Sequence, residues 1–504
     1  LLASCQRVIL NENWLLAISD WLLAISDWRH AMKKTLTEKS FFYYAKCPRW
    51  IARHVIHGAH LDALESLLID DSVLPEVHEG LLKARGQYEV VRDEDTDDAF
   101  QRTVSFMKSG AQTVYGAVLV DGHWVGRPDV LERVEGRSDL GSFYYVAIDI
   151  KRLHTPKSIR HEHKLQGAFY AELLERVQGV RPTSGYIMSP EGTVMRYDLE
   201  TFEVDYRLTL KRIEAILGGE EVQHALTAGC KASPFFAMCL DDASSCDDIS
   251  LLNRVRQEEI EELRGAGIRS VLDLATADLS VVQSKIFTTN DERVAFLQRQ
   301  AIALKERVHD VVEPVTFQAS GTEIYFDVES DPVRDVDYLF GALLLETQKD
   351  GSKVATYRAF LAETLDGERA AWDQFAAFLA EHRYAPVYHY GWYEIGVCAR
   401  MIERYGAPEQ AIESWENNFV DINAALRSRI IFPLSFYSLK DIAQYLGFSW
   451  RGEDVGGVNS IRWYHEWLAT WNRALLDRIV EYNEDDARAT RLLKEWAERQ
   501  QPSR

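Results

Sequence analysis

Two carboxylates, Asp327 and Glu329, stand two residues apart at the end of an apolar run that begins at Ile324 and is typical of a β-strand. Because side chains alternate along a strand, this spacing places both acids on the same face. Neighbouring acids repel each other unless a cation lies between them. Two divalent metals about 3.5–4 Å apart, bound to the attacking and leaving oxygens of a phosphodiester, are one solution. The alternative is a strand that ends in a polar turn, since Ser330-Asp-Pro332 follows at once.

A second set of candidate catalytic residues lies in the N-terminal half of the chain. Asp129 ends the sequence Gly126-Arg-Pro-Asp129, and Asp149 and Lys151 share one face of a strand predicted over 143–151. Two acids can hold a divalent metal, and a lysine beside them can orient or activate a water and offset phosphate charge. The alternative is a turn residue after proline together with a surface ion pair.

The elements that would position these residues alternate between helices and strands. Aromatic and apolar residues at helical spacing predict helices within 38–100, and Asp121-Gly122 predicts a hairpin turn between two strands. A helix over 164–178 and a strand over 184–188 follow. From residue 322 the pattern predicts strands at 322–328, 337–346, 353–361 and 385–390, and helices at 368–382 and 393–405.

Three motifs of the N-terminal half resemble the core of RecB-type PD-(D/E)xK nucleases: Gly126-Arg-Pro-Asp129, Asp149-Ile-Lys151 and Gln166-Gly-Ala-Phe-Tyr170. The resemblance implies Asp129 and Asp149 as metal ligands and Lys151 as the catalytic lysine. Gln166 and Tyr170, at i and i+4 on one helix, would face the site together.

This family usually carries a His or Glu on an early helix, within a Gly-x-x-His/Glu pattern. Gly86-Gln-Tyr-Glu89 fits the pattern, so the resemblance implies Glu89 as a further metal ligand, with His78 as the second candidate. The alternative for Glu89 is a solvated glutamate on a helix.

Several relatives, notably CRISPR-associated nucleases, also hold a 4Fe–4S cluster through four cysteines. Cys47 stands where the first ligand precedes the core, and Cys230, Cys239 and Cys246 are the candidates that follow it. Ser233 occupies the place of one expected cysteine, and serine is a poorer ligand for iron than a thiolate. The alternative is a set of buried or free thiols.

From residue 322 onward, the predicted order of elements resembles an RNase H-like fold of the DEDD 3′→5′ exonuclease type. Asp327 and Glu329 match the first motif of that family. Glu394 stands where the second motif usually ends in Asp, and its side chain is one methylene longer.

The last motif of this resemblance is Tyr482-Asn-Glu-Asp-Asp486. Tyr482 and Asp486, at i and i+4, reach the same helix face. The resemblance implies that Asp486 completes the metal set and that Tyr482 orients the attacking water. Asp485 points about 100° away from Asp486. Between these motifs, Asp421 could support the metal ligands from behind, face the substrate or cap a helix, and Lys440 could meet a phosphate.

Bulk properties limit the remaining classes of function. The net charge of −21 argues against non-specific polyanion binding through the whole surface, although a local basic channel or bound metal can reverse the sign. Six cysteines in 504 residues do not make a disulfide framework, so a reducing cytoplasm is expected. No segment approaches the roughly 18 apolar residues of a membrane span.

The sequence therefore predicts a multidomain α/β protein, similar to bacterial RecB-like nucleases that carry a C-terminal RNase H-like domain. Residues 1–31, which contain a tandem heptad at 14–27, are expected to be upstream sequence or a duplication outside the fold. We expect a PD-(D/E)xK, restriction-endonuclease-like nuclease domain at 32–245, a helical linker resembling a helix-hairpin-helix at 246–315, and an RNase H-like DEDD domain at 316–504.

The expected activity is Mg²⁺- or Mn²⁺-dependent hydrolysis of DNA, as single strands or duplex ends, in repair, recombination or defence. Two alternatives stay open: a nucleic-acid-binding or scaffold protein with one or both sites inactive, and RNA 3′-end trimming by the C-terminal domain. Protein partners cannot be inferred from the sequence.

Overall fold

The computed structural model describes residues 35–57, 68, 71–92, 95–222, 225–453 and 456–502. The segment 1–31, with its tandem heptad, lies outside the described residues. The chain divides into two compact units, Leu1–His224 and Ala225–Arg504. Both contain helices and strands, which confirms the predicted multidomain α/β class.

The first unit contains a six-stranded mixed sheet, ordered β2-β3-β6-β7-β8-β9, and a three-stranded sheet, ordered β1-β5-β4. Its strands are β1 Leu36–Thr37, β2 Glu89–Val90, β3 Thr113–Tyr115, β4 Leu119–Asp121, β5 Trp124–Gly126, β6 Val130–Ser138, β7 Gly141–Ile150, β8 Ser184–Met188 and β9 Val194–Asp198. Its helices are α1 Glu38–Lys46, α2 Pro48–His57, α3 Pro75–Arg85, α4 Thr96–Ser109, α5 His161–Gln178 and α6 Glu203–Leu217.

Helix α5 is largely buried and packs against both sheets of this unit. Leu165, Phe169 and Leu173, spaced four residues apart, lie in the hydrophobic core. The helix ends at Gly179, whose φ of 72° is the left-handed conformation that glycine adopts at low cost. Because the core stripe fixes the rotation of α5, Gln166 and Tyr170 are buried beside it.

The second unit contains a five-stranded sheet, ordered β13-β12-β11-β14-β15, and a short pair, β10-β16. Its strands are β10 Asp310–Val311, β11 Thr322–Asp331, β12 Val336–Thr347, β13 Lys353–Leu361, β14 Val387–His389, β15 Phe419–Asp421 and β16 Ile430–Ile431. Its helices are α7 Phe236–Ser245, α8 Gln257–Gly265, α9 Val271–Thr276, α10 Leu279–Gln283, α11 Asp291–Glu306, α12 Glu368–Glu381, α13 Tyr393–Tyr405, α14 Glu409–Asn418, α15 Ile422–Leu426, α16 Leu439–Tyr445, α17 Gly457–Thr470 and α18 Arg473–Ala497.

Strand β11 is the centre of the five-stranded sheet. It pairs antiparallel with β12 and parallel with β14, and β14 pairs parallel with β15. Ile324 and Phe326 pack into one core cluster, and Tyr325 packs into another on the opposite face. Because side chains alternate along the strand, Asp327 and Glu329 share the face of Tyr325, against which α18 packs.

The segment 246–315 is largely helical and ends with the short strand β10. Helices α8 and α9 flank a turn in which Gly267 has a φ of 93°. Contact of this turn with a phosphate backbone stays a prediction. None of the described helices has both the length and the apolar character that a membrane crossing requires.

Candidate functional site

Three carboxylates of the second unit converge on one point. Asp327 and Glu329 from β11 and Asp486 from α18 each place an oxygen within 4.8 Å of the other two. Glu329 and Asp486 are buried, and Asp327 is half-buried. Within the part of the chain that the structure describes, no other three His, Cys, Asp or Glu side chains converge in this way.

Burial raises the pKa of each of these three acids. The pKa of Asp327 lies well above its usual range, because of burial first and then the negative charges of Asp486 and Glu329. Burial and the charge of Asp486 raise the pKa of Glu329 to about 8, and burial raises the pKa of Asp486 to about 6. A cation among the three would offset both the repulsion between the carboxylates and the cost of burying their negative charge. Clustered carboxylate oxygens are the ligands that Mg²⁺ and Mn²⁺ prefer, so the set fits either metal.

Glu394 lies beside this set rather than within it. It belongs to the first turn of α13 and is buried, and its charge contributes to the raised pKa of Asp327. Its Oε2 atom accepts no hydrogen bond from any described residue, and Nδ1 of the buried His389 lies 3.8 Å from the same oxygen. A buried carboxylate oxygen without a donor is a vacant acceptor beside the acids, which suits a bound cation.

Tyr482 lies on the same face of α18 as Asp486, as its spacing predicts. Its hydroxyl donates to the carboxylate of Asp486. Burial first, and then the charge of Asp486, raises the pKa of Tyr482 far above its usual value. The phenol is therefore neutral at physiological pH and cannot act as a general base, but its oxygen can still accept a hydrogen bond.

Two further side chains surround Asp486. The indole Nε1 of Trp450 donates to Oδ1 of Asp486 at 2.7 Å. The Nζ atom of Lys440 lies 4.6 Å from the centroid of the Tyr482 ring. Burial lowers the pKa of Lys440, and the charge of Asp486 counteracts this effect. Lys440 in turn lies close enough to lower the pKa of Asp486 through its charge.

Sequence reasoning missed Asn483, which is fully buried. Its Nδ2 donates to Oδ2 of Asp327 at 2.6 Å, and its Oδ1 accepts from the Tyr357 hydroxyl at 2.8 Å. Gly341 pairs opposite Asp327 on β12, and a Cβ at this position would collide with Oδ1 of Asn483. A glycine within an otherwise apolar strand was the available signal, since it often marks close approach by another group.

Two acids near the site serve structural roles. Asp485 turns away from the metal-binding set, and its oxygens accept from the backbone N and Nε of Arg451, both at 2.8 Å. Asp421 caps α15 by accepting from the backbone N of Ala424 at 3.1 Å, and it also accepts from the backbone N of Gly391 at 3.0 Å. Asp421 is therefore a helix cap that also holds the loop before Glu394.

In the first unit, the structure brings Asp129, Asp149 and Lys151 together. The Oδ2 atom of Asp129 accepts from the backbone N of Ile150 at 2.7 Å, next to Asp149. Burial raises the pKa of Asp149 to about 6; the charge of Lys151 lowers this pKa and that of Asp129 raises it. Lys151 is buried. Among the described residues, no third acid converges with these two within the distance found at the other site.

The α5 side chains Gln166 and Tyr170 reach this site from the neighbouring helix. The hydroxyl of Tyr170 hydrogen-bonds to the Asp149 carboxylate and, at 3.4 Å, to the carbonyl oxygen of Arg127. The Nε2 atom of Gln166 donates to the carbonyl oxygen of Glu38 at 3.4 Å. Tyr170 therefore contacts Asp149 directly, whereas Gln166 contacts Glu38.

Glu38 is a second residue that sequence reasoning missed. It begins α1 and is buried, and its Oε2 accepts from the backbone N of Arg127 at 3.2 Å. Its pKa is raised, mainly by burial and also by the charge of Asp149. Nothing in the local sequence distinguishes this glutamate from a first-turn helix residue.

Glu89 does not lie on a helix but in the short strand β2, which pairs with β3. His78 is the candidate that the structure links to Lys151: burial and then the charge of Lys151 lower the pKa of His78. The Nδ1 atom of His78 lies 3.1 Å from the Tyr115 hydroxyl. The role of Glu89 as a ligand stays a prediction.

The four candidate iron ligands belong to no disulfide bond among the described residues. Cys230 and Cys239 are buried, Cys47 is half-buried and Cys246 is exposed. The Sγ atom of Cys230 accepts from the backbone N of Thr227 at 3.3 Å. The iron–sulfur cluster stays a prediction.

Comparison with known families agrees with the geometry of the second unit. Residues 324–498 match the RNase_H_2 family model, which is described as RNase_H superfamily. These residues form an RNase H-like domain. The matched range includes the three converging acids, Glu394 and Tyr482, and such a domain indicates nuclease-type activity with a divalent metal. No curated protein matches the chain.

Proposed function

We propose that the protein is a metal-dependent nuclease that hydrolyses DNA phosphodiester bonds, and that its RNase H-like site acts as a 3′→5′ exonuclease. The convergence of Asp327, Glu329 and Asp486 carries the proposal. Three acids within 4.8 Å of one another, two of them buried, are unfavourable without a cation and suited to a divalent metal. The match to an RNase H-like domain supports nucleic acid as the substrate.

The side chains around the acids have separable roles. Asp327, Glu329 and Asp486 would hold the metal, which when bound polarises the phosphate and activates water. The neutral Tyr482 donates its hydroxyl hydrogen to the carboxylate of Asp486, and its oxygen lone pair can orient the water. The ammonium group of Lys440 offsets the negative charge of the phosphate.

Asn483 and Gly341 preorganise the acids before substrate binds. The Asn483 amide fixes the carboxylate of Asp327 by donating to one of its oxygens, which leaves the other oxygen for the metal. The missing side chain at Gly341 provides the space for this amide. A carboxylate held in one rotamer needs no reorganisation when the metal binds.

We further propose that the first unit carries a RecB-like nuclease site. Asp129 and Asp149 would hold a divalent metal there, and Lys151 would orient the attacking water. The burial of Lys151 beside two acids supports this role, because a surface ion pair would leave the lysine exposed. The proposed process is DNA repair, recombination or defence.

Degradation of end-labelled single- and double-stranded DNA and RNA tests the proposal, with Mg²⁺, Mn²⁺ or EDTA. Asp327→Asn and Asp486→Asn should each reduce exonucleolytic shortening at least about 100-fold, since each removes a metal ligand. Asp485→Asn is the matched control: it neutralises the adjacent acid, which binds Arg451 instead, and should retain activity. Lys151→Ala should remove only the cleavage that persists in the Asp327→Asn protein.

The outcomes separate the two sites and the alternatives. Absence of metal-dependent cleavage of every substrate would favour a binding or scaffold protein. Loss of all cleavage in Lys151→Ala alone would make the RNase H-like site structural. Preferential shortening of RNA would replace DNA by RNA as the substrate of the second unit.

A further inference from the structure

A cavity of about 280 Å³ lies in the second unit, between the helical segment and the RNase H-like domain. Three arginines line it: Arg254 precedes α8, Arg293 belongs to α11, and Arg427 ends α15. Its volume is close to the lower end of ligand-binding pockets, which suits a small group such as a phosphate. In a protein with a net charge of −21, three guanidinium groups around one cavity form a local reversal of charge.

Two of these guanidinium groups differ from the third in their pairing with described residues. Arg254 and Arg427 are exposed, and neither forms an ion pair with any residue in the described ranges. Arg293 differs, because its Nε and Nη2 atoms bind the two carboxylate oxygens of Glu259 at 2.9 and 3.0 Å. Arg293 is therefore held rigidly, and Arg254 and Arg427 are available to an anion.

The backbone at Arg254 is also held in position. Its φ of 56° is in the left-handed region, which is uncommon for a residue with a side chain. The carbonyl oxygen of Arg254 accepts from Nη2 of Arg293 at 2.9 Å. Arg293 thus holds the backbone of Arg254 beside the cavity.

A buried amide completes the lining. Gln300 is 3% exposed, and its Oε1 atom makes no hydrogen bond with any of the described residues. The two ends of a glutamine amide are exchanged by a half-turn of the side chain, so the same group can present its NH₂ to an anion. A buried polar atom without a protein partner is a site where a water, an ion or a ligand can bind.

The cavity and the acid cluster lie at the same end of the sheet, where the parallel strands β11, β14 and β15 finish. Strands β11, β14 and β15 run parallel, and Tyr325 on β11 pairs with Tyr388 on β14. Extending this register brings Tyr390 level with Asp327. Helix α15, which Arg427 ends, starts directly after β15. A strand of nucleic acid that leaves the acids along this end of the sheet would therefore pass the arginines.

We propose that Arg254, Arg293 and Arg427 bind a phosphate group of the nucleic-acid strand whose end is cleaved at the acid cluster. This inference rests on the proposed function of that cluster. The phosphate would accept charge-assisted hydrogen bonds from the two unpaired guanidinium groups and from the remaining donors of Arg293. Contacts of this kind position the strand and carry no sequence information.

Binding measured without cleavage tests the inference. The full chain in EDTA is titrated against a fluorescein-labelled single-stranded oligodeoxynucleotide over a series of salt concentrations, by fluorescence anisotropy. Arg254→Ala/Arg427→Ala should raise Kd about tenfold or more and reduce the slope of log Kd against log salt by about 1. Lys353→Ala/Arg358→Ala is the matched control, because it removes two exposed charges of the edge strand β13.

The source of the phosphate is distinguished by competition. Thymidine 5′-monophosphate and inorganic phosphate are each added to the bound complex. If neither small molecule displaces the oligonucleotide, the cavity holds a phosphate within the strand. If the mononucleotide displaces the oligonucleotide at equal phosphate concentration, the cavity holds a terminal phosphate. Both results support a phosphate site.

Equal Kd and equal salt dependence in the arginine variant and the wild-type protein would overturn the inference. The proposed function is judged separately, by metal-dependent cleavage. Cleavage that persists with unaltered binding in the variant would refute the arginine site alone. Arginine-dependent phosphate binding without any cleavage would refute the nuclease proposal alone. Thermal unfolding of both double variants shows that they are folded.

Discussion

Neutralising Glu329 should stabilise the metal-free protein at alkaline pH, although it removes a proposed metal ligand. The folded protein holds a proton on Glu329 up to a pKa of about 8, whereas the unfolded chain releases it near the ordinary value of 4.5. Between these values the folded state binds more protons than the unfolded state, so stability falls as the pH rises. The Glu329→Gln substitution removes this loss, since the amide carries no charge to bury.

The size of the effect follows from the two pKa values. A rise from 4.5 to about 8 corresponds to about 5 kcal/mol at a pH above both values. Part of the rise comes from the charge of Asp486, and the amide loses hydrogen bonds that Ser460 and Asn483 donate to the carboxylate. We therefore expect Glu329→Gln to stabilise the protein by about 2–4 kcal/mol at pH 8.5 and by much less at pH 5.

Differential scanning calorimetry of the full chain provides the measurement. In EDTA at pH 8.5, the variant should raise the melting temperature of the affected transition by roughly 5–15 °C relative to wild type. Adding Mg²⁺ or Mn²⁺ should raise the wild-type value and affect the variant less, because a bound metal stabilises the state that binds it. Glu346→Gln is the control and should change neither value. Glu346 lies on β12 opposite Thr322, at the end of the strand pair away from Glu329.

Two results would refute this reasoning. The first is an identical pH dependence of melting for wild type and Glu329→Gln in EDTA, which would mean that the acid is not held protonated by its surroundings. The second is an equal stabilisation of both proteins by metal. Either result would leave the converging carboxylates without the electrostatic cost on which the metal assignment depends.

Three further substitutions test other contacts. Gly341→Ala should weaken metal binding about tenfold or more in titration calorimetry, because the added Cβ displaces Asn483 from its carboxylate partner; unchanged affinity would contradict this. Asp485→Asn should lower the free energy of unfolding by about 1–3 kcal/mol in urea through its lost pairing with Arg451, yet keep metal affinity. Asp149→Asn should stabilise the metal-free protein by up to about 3 kcal/mol above pH 6, since folding raises the pKa of the acid from 3.8 to about 6. A variant less stable than wild type above pH 6 would contradict a cost of burying the Asp149 charge.

The parts of the site that depend on local geometry could be predicted from the sequence. Alternation along a strand places Asp327 and Glu329 together, and the i, i+4 spacing on a helix does the same for Tyr482 and Asp486. The helical angle likewise separates Asp485 from its neighbour. These inferences need only the type of secondary structure, which the apolar pattern indicates well.

The parts that depend on contacts between distant segments could not be predicted. Glu38 reaches Asp149 because α1 and α5 pack together, and Asn483 reaches Asp327 because a glycine stands opposite Asp327 on the neighbouring strand β12. Motif spacing favoured Glu89, but this residue lies in β2 rather than on a helix. The arginine cavity escaped notice because its three members come from separate helices and loops, each with an ordinary local sequence.

The dependence of the acid cluster on α18 has a consequence for biosynthesis. A ribosome makes β11, with Asp327 and Glu329, well before it makes Asp486 on a helix near the end of the described chain. Until that helix emerges and docks on the sheet, the first two acids lack the third ligand and the Asn483 amide. A nascent or prematurely terminated chain that ends before α18 would therefore lack a complete acid cluster, so this site would form only after α18 had been translated and had docked on the sheet.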